Sequence, residues 1–159
     1  MYNNLIIKER IKIITISELR QEVQGKSHSS LYHNRVEALI KTLDENNIIE
    51  NLGGEYLFYP KNLWIERKGI ELFFFSKHAI KICDIDSFYN VNIHTLSTKS
   101  LRKLELLNIN KKSGNVELLI HVLNEEPIKL SNKKDTNDAW GSNFYNLILE
   151  IHAQLNEQI

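Results

Sequence analysis

The spacing of hydrophobic positions in the first 60 residues is mostly helical and then becomes strand-like. It predicts helices over residues 3–12 and 17–23, separated by a short β-branched run at 13–16. A third helix is predicted from one apolar face that carries Val36, Leu39, Ile40 and Leu43. This helix should end at Asn46 and Asn47, and residues 48–59 should then form a hairpin.

Hydrophobic and polar residues alternate over much of the remaining chain, as they do in strands with one buried face. The alternation predicts strands over residues 70–76, 79–84, 89–94, 104–109, 116–123 and 126–130. The last segment is an amphipathic helix, for which Ser142 is a candidate N-cap. Its apolar stripe consists of Phe144, Leu147, Ile148, Ile151 and Leu155.

These elements divide into two units, which we predict as domains over residues 1–62 and 68–159. The join contains Pro60 and Gly69, and proline often closes a strand because it has no N–H to donate. The expected fold class is therefore α+β, with a helical unit followed by an antiparallel sheet and a C-terminal helix.

The order of helix, short strand, helix, turn, helix and hairpin resembles the winged helix-turn-helix superfamily over about 55 residues. Asn47 suits the left-handed end of the third helix, and Gly53 and Gly54 suit the tip of the wing. The resemblance implies a regulatory protein that reads duplex DNA by laying this third helix in the major groove.

Under this resemblance, the exposed face of the third helix begins near Ser29 and Ser30, with Tyr32 facing outward or sideways. Asn34 and Arg35 have side chains suited to reading base edges, and the serines with nearby backbone N–H groups could hold phosphate. The resemblance thus implies a DNA-binding set of Lys26, Ser29, Ser30, His33, Asn34, Arg35 and Lys41.

The balance of acidic and basic residues also permits a second function. The chain has 20 Lys and Arg against 20 Asp and Glu, and residues 1–60 carry one more acidic than basic side chain. The predicted wing holds Glu50 and Glu55 without a Lys or Arg, although phosphate neutralisation supplies much of the affinity for DNA. The alternative is a protein-interaction adaptor in which both units bind protein.

The second unit, with about five or six strands and a closing helix, resembles the pleckstrin-homology-like architecture. In that architecture a small twisted sheet curls into a partial barrel, and the helix covers one open end. A simpler α+β sheet with a packed helix also fits the pattern. Packing of the helical stripe on its own sheet is the first expectation, and packing on a second copy would give a homodimer.

Catalytic and metal-binding signatures are missing from the sequence, which has no GxSxG, phosphate loop or HExxH. The histidines are scattered, and Asp84 with Asp86 is expected to form a solvated turn. We therefore expect a non-enzymatic protein without a cofactor or metal ion. A basic stretch from Lys99 to Lys112 is expected to form a solvated face or a protected sheet edge, and contact with nucleic acid or an acidic partner is the alternative.

Cys83 is the single cysteine, so no disulfide can form within the chain. The N-terminal residues lack a signal-peptide pattern, and the longest apolar run is too short to span a bilayer. These features predict a cytoplasmic location with no membrane partner. The abundance of Ile, Asn and Lys suggests a microbial source.

Overall fold

A computed structural model describes residues 15–24 and 30–159. The predicted helix over 3–12 lies outside this range, as do residues 13 and 14 of the β-branched run, Lys26 and Ser29. Ile16, the last residue of that run, belongs to a helix and not to a strand.

In the described part of the chain, two helices precede the sheets: α1 (Ile16–Gln24) and α2 (Leu31–Glu45). α1 buries Ile16, Leu19 and Val23, and α2 buries the predicted apolar face together with Tyr32. The guanidinium of Arg20 on α1 makes two hydrogen bonds to the Asp44 carboxylate on α2, at 2.8 and 3.1 Å. α2 ends as predicted, with Asn47 in the left-handed region at φ 54°.

The hairpin predicted over residues 48–59 is wrong. The chain instead turns after α2, forms a short 3-10 helix at Glu50–Leu52, and reverses at Gly53 and Gly54 with φ 64° and 119°. Residues 56–61 do form a strand, but its partner begins at Glu71. The strand that begins at Glu71 is rich in Phe, so it gives residues 56–61 a continuous apolar surface to pair with. Residues 48–53, which include Glu50 and Asn51, would not.

Within residues 15–24 and 30–159, seven strands form two antiparallel sheets. The four-stranded sheet has the order β1 (Tyr56–Lys61), β2 (Glu71–Ser76), β3 (Ala79–Ile85) and β4 (Val91–Ser97). The three-stranded sheet has the order β5 (Leu101–Asn110), β6 (Asn115–Val122) and β7 (Ile128–Ser131). A C-terminal helix, α3 (Gly141–Asn156), follows. This arrangement confirms the mixed α+β fold with antiparallel sheets and a C-terminal helix.

β2 is buried on both faces, because the first sheet lies between helices. On one face, the ring of Tyr59 packs against Phe73 and against Phe144 of α3, with centroid distances of 6.4 and 5.0 Å. On the other face, Phe74 packs against Tyr56 and Phe58, and α2 contacts β3. One continuous apolar cluster therefore joins the helices to both sheets.

The predicted domain division at residues 62–68 separates β1 from β2, which pair along their whole length. Whether either side folds alone stays a prediction. α3 has the predicted buried stripe, but Ser142 lies inside its first turn and Trp140 occupies the N-cap position. Within residues 15–24 and 30–159, no helix is long and apolar enough to cross a membrane.

Candidate interaction surface

The two sheets leave β1, β4, β5 and β7 as edge strands. A free edge offers unpaired N–H and C=O groups to other chains, and proteins usually protect it with lysine, proline, bulges or short length. β1 carries Pro60 and Lys61, and β7 is only four residues long. β5 carries Arg102 and Lys103 and has two register shifts.

β4 has none of these protections. It is seven residues long and contains neither lysine nor proline. It pairs with β3 over its whole length, from Val91 opposite Ile85 to Ser97 opposite Ala79, without a register shift. Among the residues that the structure describes, no strand pairs with its other side. β4 is therefore the long, regular and unprotected edge of this fold.

Side chains of β3 hold β4 in place. Lys81 Nζ donates to Thr95 Oγ1 at 2.9 Å, and Asn92 Nδ2 donates to Asp84 Oδ1 at 3.2 Å. His94 Nε2 lies 3.8 Å from Asp84 Oδ2. Because both the backbone and the side chains of β4 are already fixed, an incoming strand would meet an ordered template.

A groove of about 470 Å³ runs beside β4. Its apolar lining comes from Ile82, Ile93, Leu96 and Ile128. Ile93 is 37% exposed, which is unusual for an isoleucine in a sheet. The opposite wall is the turn between β6 and β7, where Glu125 N donates to Val122 O at 3.2 Å and Asn124 has φ 62°.

The same turn makes the groove acidic, because Glu125 and Glu126 both line it and both are exposed. In the described part of the chain, neither carboxylate has a cation within 4.0 Å. Lys129 of β7 instead pairs with Glu117 at 3.2 Å. The groove therefore combines an apolar lining, an acidic wall and a free strand edge, which we name the β4 groove.

Of the residues predicted to bind DNA, the structure describes Ser30, His33, Asn34, Arg35 and Lys41, and among these Lys41 alone is fully exposed. Ser30 occupies the N-cap position of α2 without a side-chain capping bond. Lys41 is exposed, with Nζ 3.9 Å from Glu45 Oε1. The His33 ring stacks on Trp64 with centroids 5.1 Å apart, and Asn34 is half-buried.

Arg35 is also half-buried and not fully exposed. It lines a cavity of about 180 Å³ with Arg67 and Lys68, beside Ile85 at the end of β3. Its Nε atom is buried and has no hydrogen-bond partner in the described residues. The side of α2 that carries Arg35 thus faces the β1–β2 connection and the end of β3.

The expectation that Tyr32 faces outward is wrong. Its side chain is buried, and its hydroxyl donates to Asn62 O at 2.6 Å and accepts from Trp64 N at 3.0 Å. Asn62 and Trp64 both have positive φ, 69° and 62°. Tyr32 therefore fixes a strained β1–β2 connection, a role that its helical position alone could not reveal.

Asp86 forms a turn, as expected, whereas Asp84 lies in β3 and not in the turn. Its Oδ1 accepts from Phe88 N at 2.8 Å and from Asn90 N at 2.9 Å. The backbone hydrogen bond from Asn90 is the main cause that lowers the pKa of Asp86, with a smaller effect from Arg35. Within the described residues, no group of three or more His, Cys, Asp or Glu side chains is placed to hold a metal ion.

Sequence reasoning missed the β4 groove. It predicted a strand over residues 89–94, but it could not assign that strand to an edge. The lack of lysine and proline over residues 91–97 is visible in the sequence, yet this lack becomes informative only when strand order makes β4 an edge.

Comparison with known proteins found solved structures that are similar to this chain. One is a DUF1696 family protein with a pleckstrin-homology domain from Shewanella loihica PV-4, with 16% identity and a TM-score of 0.46 over 75% of this chain and 91% of that chain. Another is a pleckstrin homology domain from Shewanella amazonensis SB2B, with 17% identity and a TM-score of 0.43 over 74% of this chain and 98% of that chain. No curated protein matched. A family match covers residues 11–146, and the chain belongs to the family described as "Protein of unknown function (DUF3908)".

Proposed function

We propose that this protein is a non-enzymatic adaptor that binds an extended segment of a partner protein as an additional strand on β4. The observation that carries the proposal is the unprotected edge of β4 beside an apolar groove. Strand addition of this kind obtains affinity from main-chain hydrogen bonds and specificity from pockets for alternate side chains.

The expected free energy of strand addition on β4 corresponds to a modest affinity for the partner segment. A partner strand matching the seven residues of β4 would span about 20 Å. Each new main-chain hydrogen bond contributes about 0.5–1.5 kcal/mol net, and burial of aliphatic side chains adds to this. Ordering of the incoming segment offsets part of the gain, so we expect dissociation constants of about micromolar.

The order of four strands, three strands and a C-terminal helix also supports a pleckstrin-homology-like architecture, which we adopt as part of the proposal. In this assignment α3 covers one opening between the sheets, where it contacts β1, β5, β6 and β7. β4 makes no comparable contact with α3, so its edge stays accessible.

Selection of displayed random peptides of about eight residues on the immobilised full chain tests the function. Selected peptides would be labelled and titrated by fluorescence anisotropy against the wild type, Ile93→Lys and Ile109→Lys. Ile93 lies on β4 and Ile109 on the edge strand β5, and both are exposed. The two variants therefore make the same chemical change on different edges.

We expect Ile93→Lys to weaken binding at least tenfold, because an edge lysine opposes strand pairing, whereas Ile109→Lys should bind like the wild type. Amide exchange on the wild type should show new protection confined to residues 91–97. Equal binding by both variants, or protection elsewhere, would show that β4 is not the docking strand.

DNA binding through α2 stays a hypothesis. α2 carries exposed Glu37, Asp44 and Glu45 alongside Lys41, a balance that offers little phosphate neutralisation. The β4 groove is better supported, because an accessible edge and an apolar lining occur together there.

A further inference from the structure

We infer that the segment bound by β4 is basic, an inference that rests on the proposed function. The segment carries a Lys or Arg that contacts Glu125 and Glu126. Two positions from this cation it carries an aliphatic residue that enters the β4 groove. The observations behind this inference are the unpaired charge of the groove wall and the alternation of side chains along a strand.

The titratable side chains that line the groove are Glu125, Glu126 and His94. Lys81 of β3, whose Nζ donates to Thr95 Oγ1 of the groove lining, is already engaged, and so are Lys129 of β7 and Lys61 of β1. Lys129 Nζ lies 3.2 Å from Glu117 Oε2, and Lys61 Nζ lies 3.2 Å from Asp135 Oδ1. None of these lysines lines the groove. A partner that brings its own cation would therefore complement the wall, whereas an acidic segment would be repelled.

The register of the sheet places the apolar and acidic features on the same face. Ile82 lies opposite His94, and Ile80 lies opposite Leu96, so these side chains point to one face of the sheet. Ile82, His94 and Leu96 line the groove together with the β6–β7 turn. An added strand would point every second side chain toward this face.

That geometry fixes the expected motif. A residue on this face beside Leu96 should be aliphatic, and the neighbouring residue on the same face should carry the positive charge toward Glu125 and Glu126. Since both carboxylates are exposed, the attraction should act mainly on association and should weaken with salt.

The test compares peptides selected on the wild-type chain with peptides selected on a Glu125→Gln/Glu126→Gln variant. Glutamine keeps the size and hydrogen-bonding capacity of glutamate while removing its charge. Glu150→Gln is the matched control, because Glu150 is an exposed glutamate on α3. Each selected peptide is then titrated against the wild type, Ile93→Lys and both glutamine variants at low and high salt.

We expect wild-type peptides to be enriched in Lys or Arg two positions from an aliphatic residue. The double glutamine variant should lose this enrichment and bind those peptides at least fivefold more weakly at low salt, while Glu150→Gln should leave both unchanged.

Three results would overturn the inference in different ways. If the peptides bind the Ile93→Lys variant weakly but show no preference for Lys or Arg, the charge assignment is wrong and strand addition stands. If the peptides bind Ile93→Lys as well as the wild type, both the charge assignment and strand addition on β4 are wrong. A wild-type dimer in sedimentation that Ile93→Lys dissociates would show that a second copy occupies the edge, which also overturns the inference.

Discussion

The Tyr59 hydroxyl donates a 2.5 Å hydrogen bond to Asp135 Oδ2, joining β1 to the connection between β7 and α3. The same carboxylate oxygen accepts from Ser131 N at 2.8 Å, and Lys61 lies beside the other oxygen. Lys61 Nζ also donates to Lys129 O. Because a buried carboxylate is costly unless it is paired and hydrogen-bonded, these bonds fix how the two sheets meet.

Replacement of Tyr59 by phenylalanine should destabilise the fold by about 1–3 kcal/mol, since it leaves the buried Asp135 carboxylate short of one donor. Urea unfolding followed by circular dichroism measures the change. Tyr89→Phe is the control, because Tyr89 is 46% exposed and its variant should stay within about 0.5 kcal/mol of the wild type. Equal stability of the two variants would contradict a structural role for this bond.

Stability should fall at alkaline pH. Burial raises the pKa values of Tyr32 and Tyr59 and raises the pKa of the Cys83 thiol to about 12. In the unfolded chain these groups lose protons near their ordinary values, about 10 for tyrosine and 8.5 for cysteine. The unfolded state then binds fewer protons than the native state, so the free energy of unfolding decreases as pH rises above those values.

Urea midpoints measured between about pH 8 and pH 10.5 should therefore decrease, and a Tyr32→Phe/Tyr59→Phe variant should show a shallower decrease relative to its own value at pH 8. The native Cys83 thiol, which is fully buried, should react slowly with thiol reagents until the protein unfolds. A midpoint independent of pH would mean that these groups titrate alike in both states.

Leu39→Ala should cost about 2–5 kcal/mol, because Leu39 is fully buried on the face of α2 that joins the common core. Lys41→Ala, on the exposed side of the same helix, should change stability by less than about 0.5 kcal/mol. Chemical denaturation of both variants measures the difference. A loss below about 1 kcal/mol for Leu39→Ala would indicate a different helix face.

The Arg20–Asp44 pair should contribute about 0.5–1 kcal/mol, because its side chains are partly exposed and its geometry is bidentate. Asp44→Asn should reduce stability by that amount at low salt and by less at high salt. Glu45→Gln is the matched control, since its only ion pair in the described residues is a 3.9 Å contact with Lys41. A salt-independent effect of Asp44→Asn would argue against an ion pair.

The DNA hypothesis has a separate test by fluorescence anisotropy. If α2 reads duplex DNA, binding should be strong at about 50 mM salt and should fall steeply by about 200 mM. Lys41→Ala should weaken it without altering stability. Arg35→Ala is a poorer probe than its sequence position implies, because Arg35 is half-buried and its replacement should also affect the fold. Absence of binding at low salt would contradict DNA recognition.

The helices were the most predictable elements of this fold. The apolar stripe of α3 and, apart from Tyr32, the buried face of α2 were predicted residue by residue, because a period of 3.6 is a local property of the sequence. Strands were predicted with shifted ends. β4 runs over residues 91–97 in place of 89–94, because Asp86 and Asn90 form a turn that delays its start.

The hairpin predicted as the wing does not form, and the reason is physical. The second half of the predicted hairpin, which ended at residue 59, does lie in a strand, β1, but its partner was assigned by proximity in the sequence. Pairing with β2 brings Phe58 opposite Phe74 and Tyr59 opposite Phe73, and such aromatic pairs stabilise a sheet more than the polar residues 50–55 could. The orientation of Tyr32 was also predicted wrongly from local sequence, because its hydrogen-bond partners Asn62 and Trp64 lie about 30 residues away.

Periodicity and turn chemistry act over a few residues, so the local pattern predicts the apolar stripes of the helices, most turns and the α+β class. Burial of Tyr32, the pairing of strands and the edge that is left open follow from the tertiary structure. Those outcomes depend on contacts between distant residues, and the β4 groove exists because strand order leaves Ile93 at an edge while the β6–β7 turn brings Glu125 and Glu126 beside it.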